Sequence, residues 1–279
     1  MLLPTRRFWC LLIAAAMSPL SHAEDAKQFV QRAVQTELAA DRDDHSHWIY
    51  FETDRKPGHD VKQWVAETRE GTLRRVIEMN GQPVPETDQR TKMDGYLHDS
   101  SARSKQRKNE QHDDEQATEM LKLLPDAFIW TNRGVRGDVT LLHFRPDPQF
   151  RPPDLEARVF AAMEGDMQVD TGQLRIVSLK GRLIQDVKIA GGLLGSLNAG
   201  GTFQVERRQT AKSIWQITES HIHIQGHVLI FKTISEQEDD LKTDFTQLAG
   251  DTSLQQAEAK LLAAGGDGTL ARMVTPPSR

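Results

Sequence analysis

The sequence has a single cysteine, Cys10, and it lies in an apolar run near the N-terminus, Phe8 to Met17. With no second thiol there is no intramolecular disulfide, and beyond that run there is no thiolate nucleophile and no sulfur-ligated zinc. An excess of positive charge is also missing. Against 40 Asp and Glu stand 35 Lys and Arg, a formal net charge of −5, which excludes a basic nucleic-acid footprint. No second apolar run approaches a membrane span. Apolar residues make up only 38% of the chain, so much of the length must be solvated helix and loop. There is no internal repeat, no Gly-Lys-Ser/Thr phosphate loop, no dinucleotide fingerprint and no Gly-x-Ser-x-Gly nucleophile elbow.

Arg6 and Arg7 precede the apolar run, and Ser21-His22-Ala23 comes after it as a small-x-small site. That order reads as a secretory signal peptide over residues 1–23, too short to be a membrane span. The expectation is cleavage near Ala23 and a periplasmic or secreted protein. The remaining chain is long enough to bury one core, read as a single domain over residues 24–249.

Along the chain, Phe29, Ala33, Val34 and Leu38 form one stripe of an amphipathic helix over residues 25–40. Strand-like segments come next at 45–54, 61–70 and 72–81, joined by turns such as Asn80-Gly81. Residues 86–124 are dense in charge and read as a helical insertion. Ala117, Met120, Leu121 and Leu124 dock its last turns on the sheet, and Pro125 ends it; disorder over 99–115 is the competing reading. Strands resume at 126–133 and 138–145. Asp154 then caps a short helix, and residues 166–245 are almost wholly strand-like. After Gly250 there is a weak Ala/Leu stripe, Leu254 to Ala264, in what reads as a flexible tail over 250–279. The sum is an α+β chain of about nine to eleven strands, whose natural packing is one large curved antiparallel sheet covered by helices.

The stretch WQITESHIHIQGHVLIFKTI, residues 215–234, crowds His221, His223 and His227 together. On a strand, His221 and His223 share a face and Ile222 and Ile224 take the other. The histidines are therefore the wet side of a half-buried strand. A metal site would need a further donor from another strand and a second shell to orient the rings. His45 and His47 form a second such pair. The glycine-rich stretch 190–201 sets Leu193, Leu194 and Leu197 in a loop that either folds inward as core or lines a cavity mouth. Trp48, Trp64, Trp130 and Trp215, with Phe144, Phe203 and Phe231, are either core or cavity wall. No catalytic constellation emerges, and no cofactor is implied.

The order FRPDP…PPDLEARVF…MEGDMQVD…LRIVSLKGRL…GGLLGSLNAGGTFQVE…WQITESHIHIQGHVLIFKTI…TDF, over roughly residues 125–246, resembles uncharacterised secreted bacterial proteins related to the periplasmic lipoprotein carriers, the LolA-like outer-membrane lipoprotein-sorting proteins. The resemblance implies an unclosed antiparallel half-barrel wrapped over helices, with an apolar cavity for acyl chains. The expected function is non-enzymatic binding or carriage of an apolar ligand: a lipid, an acyl chain or a lipoprotein anchor. The long insertion at 86–124 departs from the pattern and motivates an alternative, docking of another envelope protein. A third reading is a metal-dependent enzyme built on the histidines.

Overall fold

The computed structural model describes residues 25–189, 195–228 and 232–265, except for the side chains of 227–228 and 232–236. The signal sequence read at 1–23 lies outside that range. Helix α1 (Ala26–Asp43) comes first, its N-terminus capped by the Asp25 carboxylate, which accepts from the Lys27 amide. A meander comes next: β1 (His47–Lys56), β2 (His59–Thr68), β3 (Gly71–Met79) and the two-residue β4 (Gln82–Pro83). Asn80 and Gly81 both take positive φ, at 52° and 75°, which makes the tight β3–β4 turn.

The charged segment is ordered helix throughout. It forms α2 (Glu86–His98) and α3 (Ser100–Ala127), with Asp99 between them accepting from the Ala102 amide at 2.8 Å to cap α3. Contrary to the sequence expectation, α3 does not stop at Pro125. It runs on to Ala127, with Pro125 inside its last turn and Leu124, Pro125 and Ala127 buried. The next elements are β5 (Phe128–Arg136), β6 (Val139–Pro146), α4 (Leu155–Phe160), β7 (Met163–Asp170), β8 (Ile176–Leu183), β9 (Val187–Ile189), β10 (Gly195–Leu197), β11 (Thr202–Ala211), β12 (Ile214–Val228), β13 (Lys232–Leu248) and α5 (Leu254–Ala263).

Among the described residues, 13 strands join one antiparallel sheet, ordered β4-β3-β2-β1-β13-β12-β11-β8-β7-β6-β5, with β9 and β10 attached beside β12. The first and last strands of the chain meet as neighbours, β1 against β13, while β4 and β5 are free edges, so the sheet is not closed. At Gly165 the backbones of β7 and β8 approach so closely that a Cβ would overlap the Lys180 carbonyl oxygen.

Three buried clusters hold these elements together. The largest joins Val30 and Ala33 of α1 and Leu124 of α3 to Phe128, Phe144 and Met167 of β5–β7. A second joins Ile49, Trp64 and Leu73 of β1–β3 to Met93 of α2 and to Leu254 and Leu261 of α5. A small third one contains Trp48, Tyr50 and Val65. Alternate residues of β1 therefore enter different cores: Ile49 goes one way, Trp48 and Tyr50 the other.

The stretch read as a flexible tail is partly structural. Helix α5 carries a capping box between Ser253 and Gln256 and buries Leu254, Ala257 and Leu261. Its C-terminal carbonyls, Leu261 O and Ala264 O, accept from Arg75 Nη1 at 2.6 and 2.9 Å, and Gly265 O accepts from Trp64 Nε1 at 2.9 Å. Three well-spaced apolar positions suffice because β2 and β3 present a matching apolar surface.

A candidate ligand cleft between α1, α3 and the sheet

The α1 stripe explains where the cleft forms. Ala26, Val30, Ala33 and Val34 are buried, and the next position on that face, Glu37, is a carboxylate only 3% exposed. Glu37 Oε2 accepts from Arg175 Nε at 3.0 Å and lies 2.5 Å from Arg207 Nη1, while Glu37 Oε1 accepts from the Ile176 amide. Burial pushes this carboxyl toward neutrality. The Arg207 charge, with hydrogen bonds from both guanidiniums, outweighs it, and the group titrates below the ordinary glutamate range. Arg175 Nη1 also donates to Ser213 O at 3.0 Å, and Arg207 Nη2 to Trp215 O at 3.2 Å. The triad ties α1 to β8, β11 and the start of β12.

Above this polar floor lies an open cleft of about 810 Å³. Its helical wall is Leu38 of α1, with Met120, Leu121 and Leu124 of α3. Its sheet wall includes Ile176 and Leu179 of β8, Val205 of β11 and Ile214, Trp215 and Ile217 of β12. Met120, Leu121, Leu179, Val205 and Trp215 are half-buried, and Ile217 is 44% exposed, so the lining is apolar surface left incompletely packed. Trp215 is oriented by its Nε1, which donates to Gln173 Oε1 at 3.2 Å. Asp41, Asp43 and Asp44 at the end of α1, and Asp114 of α3, stand on the same cleft. No histidine, cysteine or lysine lines it among the described residues, and the arrangement offers apolar contact and charge.

Among the residues singled out from the sequence, Trp215 lies on this wall. Trp64 and Phe144 are fully buried in the second and first cores, and Trp130 packs on Phe144 with centroids 5.4 Å apart. Trp48 is 3% exposed beside Phe245. These four are core side chains and do not line the cleft: their strands lie where helices or neighbouring strands close over them. Phe203 is half-buried and lies over Gly181, where a Cβ would strike its ring, and Leu197 is buried in the first core. Leu193, Leu194 and Phe231 lie outside the described residues. Sequence reasoning missed Glu37, Arg175 and Arg207. The available signal was Glu37 itself, a charge at a core position of the helical stripe.

The histidines sit elsewhere. His221 Nδ1 and His223 Nε2 lie 2.5 and 3.1 Å from the same oxygen, Asp239 Oδ1, and Ile224 packs against the first core on the opposite side. His221 belongs to a cross-strand row running His143, Asp166, Lys180, Gln204, His221, Asp239, Arg55. This is a polar sheet surface. The hydrogen bond from His221 is the main reason that the Asp239 carboxyl titrates below its usual range. His227 falls in β12 opposite Ser196 and Thr233, and its side chain lies outside the described residues. Among the described residues no group of three or more His, Cys, Asp or Glu side chains is placed to hold a metal ion, and no helix is long and apolar enough to cross a membrane. In comparisons with known proteins, no family model, no curated protein and no solved structure matches this chain.

Proposed function

We propose that this chain is a periplasmic or secreted, non-enzymatic binding protein that carries an apolar chain, such as the acyl chain of a lipid or of a lipoprotein anchor, in the cleft between α1, α3 and the sheet. The observation that carries this reading is the cleft itself. At about 810 Å³ it falls within the roughly 300–1,000 Å³ of ligand pockets, and most of the surface that lines it is apolar. Each methylene buried there contributes about 0.8 kcal/mol. Ten of them give about 8 kcal/mol gross, of the same order as the roughly 4–15 kcal/mol cost of association. Long chains are therefore retained and short ones are not. An open antiparallel sheet with helices supports this reading; the half-barrel wrapped over helices that the LolA-like resemblance implies is part of the proposal.

Docking of another envelope protein was motivated by the length of the charged insertion. That length is accounted for without a partner. The N-terminal part of α3 is tied to the β2–β3 turn by Gln106 and Arg107, which donate to Thr72 O and Glu70 O, and its C-terminal part walls the cleft. The histidine-enzyme reading has no support from a side-chain set that leaves His221 and His223 sharing one half-buried aspartate.

The test is binding of dodecanol, measured by calorimetry and by native mass spectrometry. One dodecanol per chain is expected, and Met120→Lys, which places an ammonium on the α3 wall, weakens it at least about tenfold. Failure of the intact protein to bind dodecanol, or equal binding by the variant, contradicts the reading.

A further inference from the structure

The charges on the cleft specify what kind of head the chain carries. We propose that the cleft selects amphiphiles with a positively charged head, a long-chain primary or quaternary ammonium, over fatty acids and other anionic lipids; this rests on the cleft being the binding site. Five carboxylates and two guanidiniums line it. Neither guanidinium is free to take an anion. Arg175 and Arg207 share Glu37, and their remaining contacts go to the carbonyls of Ser213 and Trp215. A fatty-acid carboxylate entering here would find both guanidiniums already bonded to Glu37 and to backbone carbonyls, a group with a net charge of only +1, and four aspartates nearby.

The aspartates are arranged to receive a cation. Asp41, Asp43 and Asp44 cluster at the C-terminal end of α1. That is the end at which the helix dipole is negative and carboxylates are disfavoured, so the backbone adds to their potential. Asp43 meets its exposed neighbour Arg42 at 3.1 Å, and Asp44 accepts from the Ser46 amide at 2.8 Å. Asp41 and Asp114 have no ion-pair partner among the described residues. Asp114 faces them from α3; partial burial, then Asp41, Glu110 and Asp113, push its carboxyl above the ordinary range. One ammonium between α1 and α3 would relieve the repulsion and the dipole at once, with the alkyl chain reaching past Leu121 toward Leu179.

The experiment compares three twelve-carbon probes by calorimetry below their micellar concentrations: dodecyltrimethylammonium, dodecanol and dodecanoate. The expected order is ammonium, alcohol, carboxylate, with about tenfold between first and last at low salt and a gap that shrinks as salt is added. In the Asp41→Asn, Asp114→Asn double variant the ratio of ammonium to alcohol affinity falls toward one. Dodecanoate binding as tightly as the ammonium, or an unchanged ratio in the variant, overturns the head preference and leaves the cleft reading standing. Failure of all three probes to bind removes both.

Discussion

Glu37 of α1 and Arg207 of β11 face each other at 2.5 Å across the junction between helix and sheet, with Arg175 completing the group from the start of β8. Two guanidiniums share one carboxylate that water barely reaches. Removing the carboxylate leaves a buried positive charge on Arg175 and a half-buried one on Arg207 without their counter-ion. Glu37→Ala is therefore expected to cost about 3–5 kcal/mol, read as a shift of the urea midpoint.

The same group sets a pH dependence. The folded-state pKa of Glu37 lies below its unfolded value because the arginines outweigh burial. Its contribution is then present above the ordinary glutamate range and is lost as pH falls through the folded value. The difference in unfolding free energy between wild type and Glu37→Gln should be constant near neutrality and narrow as the solution is acidified below about pH 4.5. Taking the difference removes opposing groups such as Glu67 and Asp240, whose raised values act in the other direction. A gap that widens toward acid would contradict the assignment.

Phe144 separates core from cleft. It is fully buried, with Phe128 at 4.6 Å and Trp130 at 5.4 Å between ring centroids. Phe144→Ala should cost about 3–5 kcal/mol in thermal or urea unfolding.

Helix α5 gives a comparable prediction at the far side of the sheet. Leu261 is fully buried against the second core, and its carbonyl accepts from Arg75. Leu261→Ala should cost about 2–5 kcal/mol. Truncation after Ala249 should cost more, since Arg75 and Trp64 would lose their carbonyl acceptors as well. A tail that merely trails from the domain would show neither effect.

Much of the strand layout was legible because alternation of side chains is a local property: the strands near 45–54, 61–70 and 72–81 emerge from it. Strand β13 was harder to delimit. Its middle, Ser235 to Asp244, is mostly polar, and it is extended because β1 and β12 pair with it on either side. The amphipathic end of α3 was visible as Ala117, Met120, Leu121 and Leu124, but not that part of this stripe would remain unpacked. The cleft itself was not legible. Its wall draws on α1, α3, Phe160 of α4 and three strands distant in sequence, and half-buried aliphatics such as Leu179 and Val205 look like any core residue until their neighbours are known. Large aromatics were the natural candidates, and their size is what sent most of them into the cores.

The central claim is that the space beside Trp215 receives an alkyl chain. Tryptophan fluorescence titrated with dodecanol brominated along its chain tests it directly, because bromine quenches an indole only at close range. Among the described residues Trp215 is the indole on the cleft wall, whereas Trp48, Trp64 and Trp130 are 3%, 0% and 7% exposed within cores. Saturable quenching in the intact protein that disappears in Trp215→Phe is the predicted result. Quenching that persists unchanged in Trp215→Phe, or no quenching at any concentration, would contradict it.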